Sequence, residues 1–334
     1  MVKLTDVAAL AGVSPSAASR VLSGDSTVRV SEETRARVLH AARELDYVPN
    51  HAGRSLRTSR SSTIALVVPE LTSAVFDELA NGVDKEAAAR GLALVLGRAE
   101  RVRDDDSWLR RMLSESRIDG VILQLPEGTE PSELEAMVAR DTPIVLINSL
   151  DDGPLSTIVL DDAAGVRTAV EHLRSLGHEQ IGLVGGLSSN PTAHRRYAGF
   201  RSAMEAAGLP VRDDWVTWEG YAGTDGRSAI DVLESRGPLP TGLVVANLNA
   251  ALGALAAIHA RALRVPSDVS IVALHDVWYA DATWPPITTV RMPLRELGIA
   301  AVARVVDGGN MPTHDTVRSP EPVLIVRQST AVRR

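Results

Sequence analysis

Residues 4–22, LTDVAALAGVSPSAASRVL, decide how this chain begins. Leu4, Val7, Ala8 and Ala11 recur at helical spacing and share one face, Gly12 permits a tight turn, and Val13 fills the corner behind it. Ser14 then offers a hydroxyl to an orphan backbone amide, and Pro15 suits a first helical position, where no donor is needed. A second short helix over 15–22 follows, with Ala18, Val21 and Leu22 on its apolar face. Ser16, Ala17, Ser19 and Arg20 point elsewhere, a surface of small side chains and one guanidinium that suits a nucleic-acid groove. A helical hairpin that only packs a core would share this pattern. The next segment favours the groove reader: in SEETRARVLHAAREL, residues 31–45, a serine cap precedes a stripe of Val38, Ala41, Ala42 and Leu45, and this third helix completes a small core.

Residues 47–63, YVPNHAGRSLRTSRSST, carry Arg54, Arg57 and Arg60 with His51 beside them, and no acid stands between Asp46 and Glu70. The few residues after Pro49 and Asn50 could form one or two helical turns around Leu56, too short to stand alone in water and weakened by Gly53. The segment reads as a basic linker that orders when a polyanion neutralises its arginines.

From residue 63 the pattern changes to short apolar runs separated by amphipathic helices: TIALVV, LALVLG, GVILQL, TPIVLIN, STIVL, IGLVGG, GLVVAN, VSIVAL and ITTV. Strand-helix alternation predicts parallel sheets, and nine such runs exceed one comfortable sheet. Two doubly wound lobes are expected, with a ligand cleft at the carboxyl ends of their strands. The predicted fold is therefore an all-α helix-turn-helix head followed by an α/β core of two parallel-sheet lobes.

A chain of 334 residues with 45% hydrophobic content has room for two or three domains and a sizeable core. It has no cysteine, which rules out disulfides and thiolate metal sites and is compatible with a reducing compartment. No apolar run approaches a membrane span, and Asp6 interrupts the N-terminus too early for a signal peptide, so a cytoplasmic location is expected. The net charge of -7 hides an asymmetry: the first 60 residues are +3 and the remainder -10. A basic head on an acidic body lets only the head approach phosphates.

These stretches together resemble the LacI/GalR (lactose-repressor) family of transcription regulators over nearly the whole chain. DVAALAGVSPSAASRVLSG, LDYVPN, GRSLRT and TIALVVP fall in the family's order and spacing; HLRSLGHEQIGLVGG, RRYAGFRSAMEAAGLP, VPSDVSIVALHD and PPITTVRMPLRELG resemble its effector-binding core. The resemblance implies a head over 1–46, a hinge over 47–60 and a core over 61–334 of the type I periplasmic-binding-protein kind. Its N-lobe would comprise about 61–160 and 291–320, its C-lobe about 161–290 and 321–330, with crossings near 160, 290 and 320. The last 15 residues hold no leucine heptads, so a homodimer is expected rather than a tetramer.

Carried onto this chain, the family's mechanism puts Pro15, Ser16 and Arg20 at base edges of operator DNA, with Ala17 also on the DNA-binding surface and Arg20 able to bond guanine O6 and N7 together. Thr5 and Ser19 would touch phosphates, Asn50 and Arg54 would steady the hinge, and Leu56 would wedge into a central base step of a palindromic operator. Lys3 departs from the usual Thr or Ser cap, Ala18 from a common core valine and Ser23 from a common asparagine, each expected to weaken the head slightly. The effector pocket would draw on Phe76, Asn148, Arg196, Tyr221, Asn247 and His275, although a lone aromatic also packs cores and a strand-end Asn also makes turns. Leu248 and His275 replace two family acids that would grip sugar hydroxyls. Their loss shifts the expected ligand from a neutral pyranose towards an anionic or partly apolar metabolite. A histidine with its ordinary pKa near 6.5 would also make effector binding depend on pH.

A secreted solute-binding protein would share the core but has no use for residues 1–60. An α/β enzyme is the other rival: GLVGGLSS is not G-x-G-x-x-G, no G-x-S-x-G elbow or P-loop occurs, and His172, His178 and His194 lack metal-ligand spacing. The expectation is a ligand-responsive transcription regulator, a repressor, that is not an enzyme and needs no cofactor or metal. Its partners would be double-stranded operator DNA, a small-molecule effector such as a sugar and a second copy of the chain, with no membrane.

Overall fold

The computed structural model describes residues 2–22, 30–47, 60–71, 73–100, 111–112, 117–125, 129, 143–149, 155–308 and 311–333. The chain divides into two compact units, 1–61 and 62–334.

In the first unit, α1 (Leu4–Ala11), α2 (Pro15–Leu22) and α3 (Glu32–Glu44) enclose Val7, Ala8, Ala11, Ala18, Val21, Val38, Ala41 and Ala42. Gly12 adopts φ 66°, the left-handed conformation that ends α1 at no steric cost. The Ser14 hydroxyl accepts the Ala17 amide at 3.2 Å, and Ser31 accepts that of Thr34 at 3.2 Å. Lys3 has no side-chain acceptor for the start of α1. The reciprocal half of a cap is present instead: the Asp6 carboxylate accepts the Lys3 backbone N–H at 2.8 Å and places negative charge in the first turn.

In the second unit, β1 (Thr63–Val68), β2 (Ala93–Arg98), β3 (Gly120–Leu123), β4 (Ile144–Ile147), β5 (Ser156–Leu160) and β11 (His314–Val317) form one sheet in the order β11-β5-β4-β3-β1-β2, every neighbouring pair parallel. A second sheet has the order β12-β10-β9-β8-β6-β7. It contains β6 (Ile181–Val184), β7 (Val216–Thr217), β8 (Gly242–Val245), β9 (Ser270–Leu274), β10 (Thr288–Arg291) and β12 (Val323–Ile325), and only β10–β12 is antiparallel. Period-two alternation sorts side chains onto both faces. Ile64, Leu66 and Val68 pack with Leu79 and Val83 of α4 (Val75–Ala89) and Leu297 and Ala301 of α9 (Leu294–Asp307), whereas Ala65 and Val67 join Val121, Leu123 and Leu146 on the opposite face.

The C-lobe sheet is flanked by α5 (Asp162–Ser175), α6 (Pro191–Ala206), α7 (Gly223–Arg236) and α8 (Leu248–Ala260). A Cβ at Gly226 would overlap the Ala250 carbonyl and one at Gly253 the Gly223 carbonyl, so two glycines let α7 and α8 meet backbone to backbone. The chain passes between lobes three times, from β5 to α5, from β10 to α9 and from β11 to β12.

Candidate functional site

On the first unit, α2 buries Ala18 and Val21 and exposes Pro15, Ser16 and Arg20, with Ala17 and Ser19 half-buried. Thr5 is exposed on α1. The Arg20 Nε–H donates to the Ser16 carbonyl at 3.3 Å, which lays the guanidinium back along its own helix. The surface is thus a short helix of small side chains with one cation and five N–H donors. Asn50, Arg54 and Leu56 lie outside the described residues.

In the second unit, Phe76, Asn148, Arg196, Tyr221, Asn247 and His275 all line one cleft of about 480 Å³, at the carboxyl ends of strands from both sheets. Asn148 ends β4 with φ 57°, a left-handed value that Asn tolerates better than most residues. Its Nδ2 donates to Gln124 Oε1 at 3.1 Å, while its Oδ1 is buried without a hydrogen-bond partner among the described residues. Asn247 caps α8, its Oδ1 accepting the Ala250 amide at 2.8 Å. Next to it, Leu248 is fully buried in the core. Tyr221 rests against Gly186, where any side chain would collide with the ring, and lies 6.0 Å from the Arg196 guanidinium carbon.

Arg196 is more deeply engaged than a simple ligand contact would require. Only 4% exposed, it donates through Nε to Asp162 Oδ1 at 2.9 Å, through Nη1 to the Ala246 carbonyl at 2.8 Å and through Nη2 to His275 Nε2 at 2.8 Å. Asp162, 1% exposed at the start of α5, also accepts from Arg195 Nε at 2.9 Å. Three of the five Arg196 N–H hydrogens are thereby used.

Because an arginine can only donate, His275 Nε2 must be the accepting nitrogen, and the neutral ring carries its proton on Nδ1. That N–H is buried and unpartnered among the described residues. Burial and the adjacent Arg196 charge hold the His275 pKa well below 6.5. This corrects the expected pH dependence of effector binding: no proton is gained at His275 in the physiological range, so the ring is no switch there.

The same burial has a consequence for stability. His172 and His178, hydrogen-bonded to Thr330 and Ala331 of the C-terminal tail, also have lowered pKa values, both chiefly by desolvation, with His178 next acting on His172 and Arg333 opposing a charge on His178. An unfolded chain protonates these rings near pH 6.5, whereas the folded core resists, so protons favour unfolding below that value. The core's melting temperature is expected to hold at pH 7 to 8 and fall progressively from about pH 6.5 downwards. A melting temperature unchanged or rising down to about pH 5.5 would contradict this.

Two sets of bonds cross between the lobes. Asn249 Nδ2 of α8 donates to the Ser73 hydroxyl beyond β1 at 3.1 Å, and the Tyr279 hydroxyl donates to Asn249 Oδ1. The Asn148 carbonyl accepts from Thr192 Oγ1 at 3.0 Å and Arg195 Nη2 at 3.4 Å, both on α6. Ser73, Gln124, Thr192 and Asn249 line the cleft without having been singled out from the sequence. Asp162 and Arg195, which organise it from behind, did leave a signal: charges set into an otherwise apolar strand–helix junction and an Arg-Arg pair one turn into a capped helix.

Residues 3–50 match the model for bacterial regulatory proteins of the lacI family, and residues 170–330 match that for a periplasmic binding protein-like domain. The chain is 31% identical to the HTH-type transcriptional regulator DegA of Bacillus subtilis across 98% of this chain and 97% of that protein. It is 30% identical to the HTH-type transcriptional repressor PurR of Pasteurella multocida across the whole of both. Among solved structures, the lac repressor dimer bound to operator and the anti-inducer ONPF superimposes with a TM-score of 0.82 at 28% identity, covering 99% of each chain. The helix-turn-helix head, the paired parallel sheets and these full-length likenesses agree: the chain belongs to the lacI family of bacterial regulatory proteins.

Proposed function

We propose that this chain is a homodimeric transcriptional repressor that reads a palindromic operator with α2 of each copy and is controlled by a small metabolite in the interlobe cleft. The observation that carries this reading is the cleft itself. Its volume of about 480 Å³ suits a small ligand, and it is lined by six residues expected at the effector site, of which Asn148 and His275 keep buried polar atoms without hydrogen-bond partners among the described residues. On the DNA side, Pro15, Ser16, Ala17, Ser19 and Arg20 form the reading surface with Thr5 beside it, and Asn50, Arg54 and Leu56 act from the hinge. The lac repressor structure, a dimer on its operator, supports the same arrangement here. Exposed Leu96 on edge strand β2, and Trp278 and Trp284 at 77% and 83% exposure, supply apolar surface that a second copy would cover.

Binding rather than catalysis is favoured by the state of the cleft histidine. His275 gives its basic nitrogen to Arg196, and among the described residues it bonds no hydroxyl or thiol that it could activate. No described helix is long and apolar enough to cross a membrane. A cytoplasmic location is the reading that a DNA partner supports. Occupancy of the cleft would act on the bonds that join its walls, Asn249–Ser73 and Asn148–Thr192, so that ligand binding changes the lobe angle and, through it, the separation of the paired hinges.

A salt-titrated anisotropy measurement on the full chain with a pool of inverted-repeat duplexes tests the reading. Log affinity should fall linearly with log salt, by roughly 10³-fold or more between about 50 and 200 mM for a dimer neutralising six or more phosphates. Binding that is absent at low salt, or insensitive to salt, would refute it.

A further inference from the structure

The reading helix α2 has little with which to form hydrogen bonds to a base. Of its eight residues, Ala18 and Val21 are buried in the head and Leu22 is partly buried against them. Pro15 is exposed and has neither a polar side chain nor a backbone N–H. Ala17, half-buried, presents only a methyl group. The Ser16 hydroxyl lies 3.1 Å from that of Ser14, which also accepts the Ala17 amide at 3.2 Å, so it is held against the start of the helix. Ser19 is half-buried, and Arg20 is the one long polar side chain in PSAASRVL.

In the major groove, base pairs differ in their donors and acceptors and in one apolar group, the C5-methyl of thymine. A donor or acceptor on a base edge gains no partner from Pro15 or Ala17 and loses its water. A methyl group set against the same two side chains instead gains apolar burial. Small side chains also let the helix lie close to the base edges, which brings the Pro15 ring and the Ala17 methyl to van der Waals distance of them. Five residues separate Pro15 from Arg20, about 7.5 Å along the helix axis or roughly two base-pair steps.

We infer that Pro15 and Ala17 are specificity-determining residues that read thymine C5-methyl groups in the major groove of the operator, a few base pairs from the guanine taken by Arg20. The inference rests on the operator reading above and deepens it. Each half-site is then specified by two unlike contacts, a charged fork on guanine and an apolar surface on thymine.

The test begins with inverted-repeat duplexes enriched from a random pool by the full chain. The enriched duplex is resynthesised with deoxyuridine for thymidine at one position at a time, symmetrically in both half-sites. Uracil pairs as thymine does and lacks only the methyl group. At a thymine within about three base pairs of the guanine whose enrichment Arg20→Ala abolishes, the substitution should weaken binding by about threefold to fourfold for each methyl, and so roughly tenfold for the symmetric pair. At the same position, 5-methylcytosine should bind more tightly than cytosine by a similar factor. Pro15→Ala and Ala17→Gly complete a double-mutant cycle: in the variant that has lost the contact, uracil and thymine duplexes should bind within twofold of each other. Should either variant fail to fold, the uracil and 5-methylcytosine arms on the unaltered chain still decide the matter.

Absence of thymine from that window, or uracil bound as tightly as thymine throughout it, would overturn the inference. A uracil loss undiminished in both variants would do the same, because it would place the effect in the deformability of the duplex. Enrichment of no sequence at all would defeat the operator reading first, and this inference with it.

Discussion

Replacing Asp162 with alanine is expected to lower the stability of the two-lobed core by about 3–5 kcal/mol, the cost of removing one partner from a buried ion pair. Its carboxylate is the shared acceptor for Arg195 at 2.9 Å and Arg196 at 2.9 Å, with side chains only 17% and 5% exposed. Without it, both guanidiniums keep their carbonyl, hydroxyl and imidazole partners but lose the only carboxylate they share. Asp162→Asn keeps the shape and removes the charge, and should cost nearly as much. Because Asp162 opens α5 where the chain enters the C-lobe, the loss should also loosen the Asn148–Arg195 bond across the cleft. Urea unfolding followed by circular dichroism reads the effect as a lower midpoint at unchanged slope. A change below about 1 kcal/mol would mean that solvent screens the cluster far better than its burial implies.

The second large effect belongs to the head. Arg20→Ala should weaken specific operator binding by roughly 1–3 kcal/mol, about 5–150-fold, while leaving non-specific binding nearly unchanged. The substitution removes the only charged side chain of α2 and leaves its core contacts, Ala18 and Val21, in place. Arg20→Lys should recover only part of the loss, because a single ammonium cannot form the two parallel bonds that a guanidinium makes to guanine. Equal losses on specific and scrambled duplexes would assign Arg20 to the phosphate backbone instead.

How much of this was legible in the sequence depended on whether the relevant physics is local. The head was, because its period, its glycine turn and its Ser14–Pro15 and Ser31 starts are short-range signals, and most expected core residues are buried, with Leu4, Val13, Leu22 and Leu45 partly buried against them. The nine apolar runs of the core are all strands; most are buried on both faces, which needs continuous apolar sequence, while edge strand β2 is apolar but largely exposed. Three strands were missed for the converse reason. Val216–Thr217 is only two residues long, HDTV at 314–317 has a largely polar, exposed sequence at the edge of the first sheet, and Val323–Ile325 pairs antiparallel at an edge of the second.

Within the cleft, residue types at strand ends were legible, but their mutual bonding was not. Nothing local to Arg196 reveals that it shares a carboxylate with Arg195, or that it fixes the tautomer of a histidine 79 positions away. The error over His275 followed directly: an isolated imidazole titrates near pH 6.5, and only the fold supplies the burial and the neighbouring guanidinium that prevent it.

The most direct test of the account is selection of duplexes from a random pool by the purified full-length chain, with the enriched sequences read out. The account predicts an inverted repeat whose half-sites each carry a guanine that ceases to be enriched with Arg20→Ala. Enrichment of no sequence over scrambled competitor, at low salt and with cleft ligands supplied or withheld, would contradict it.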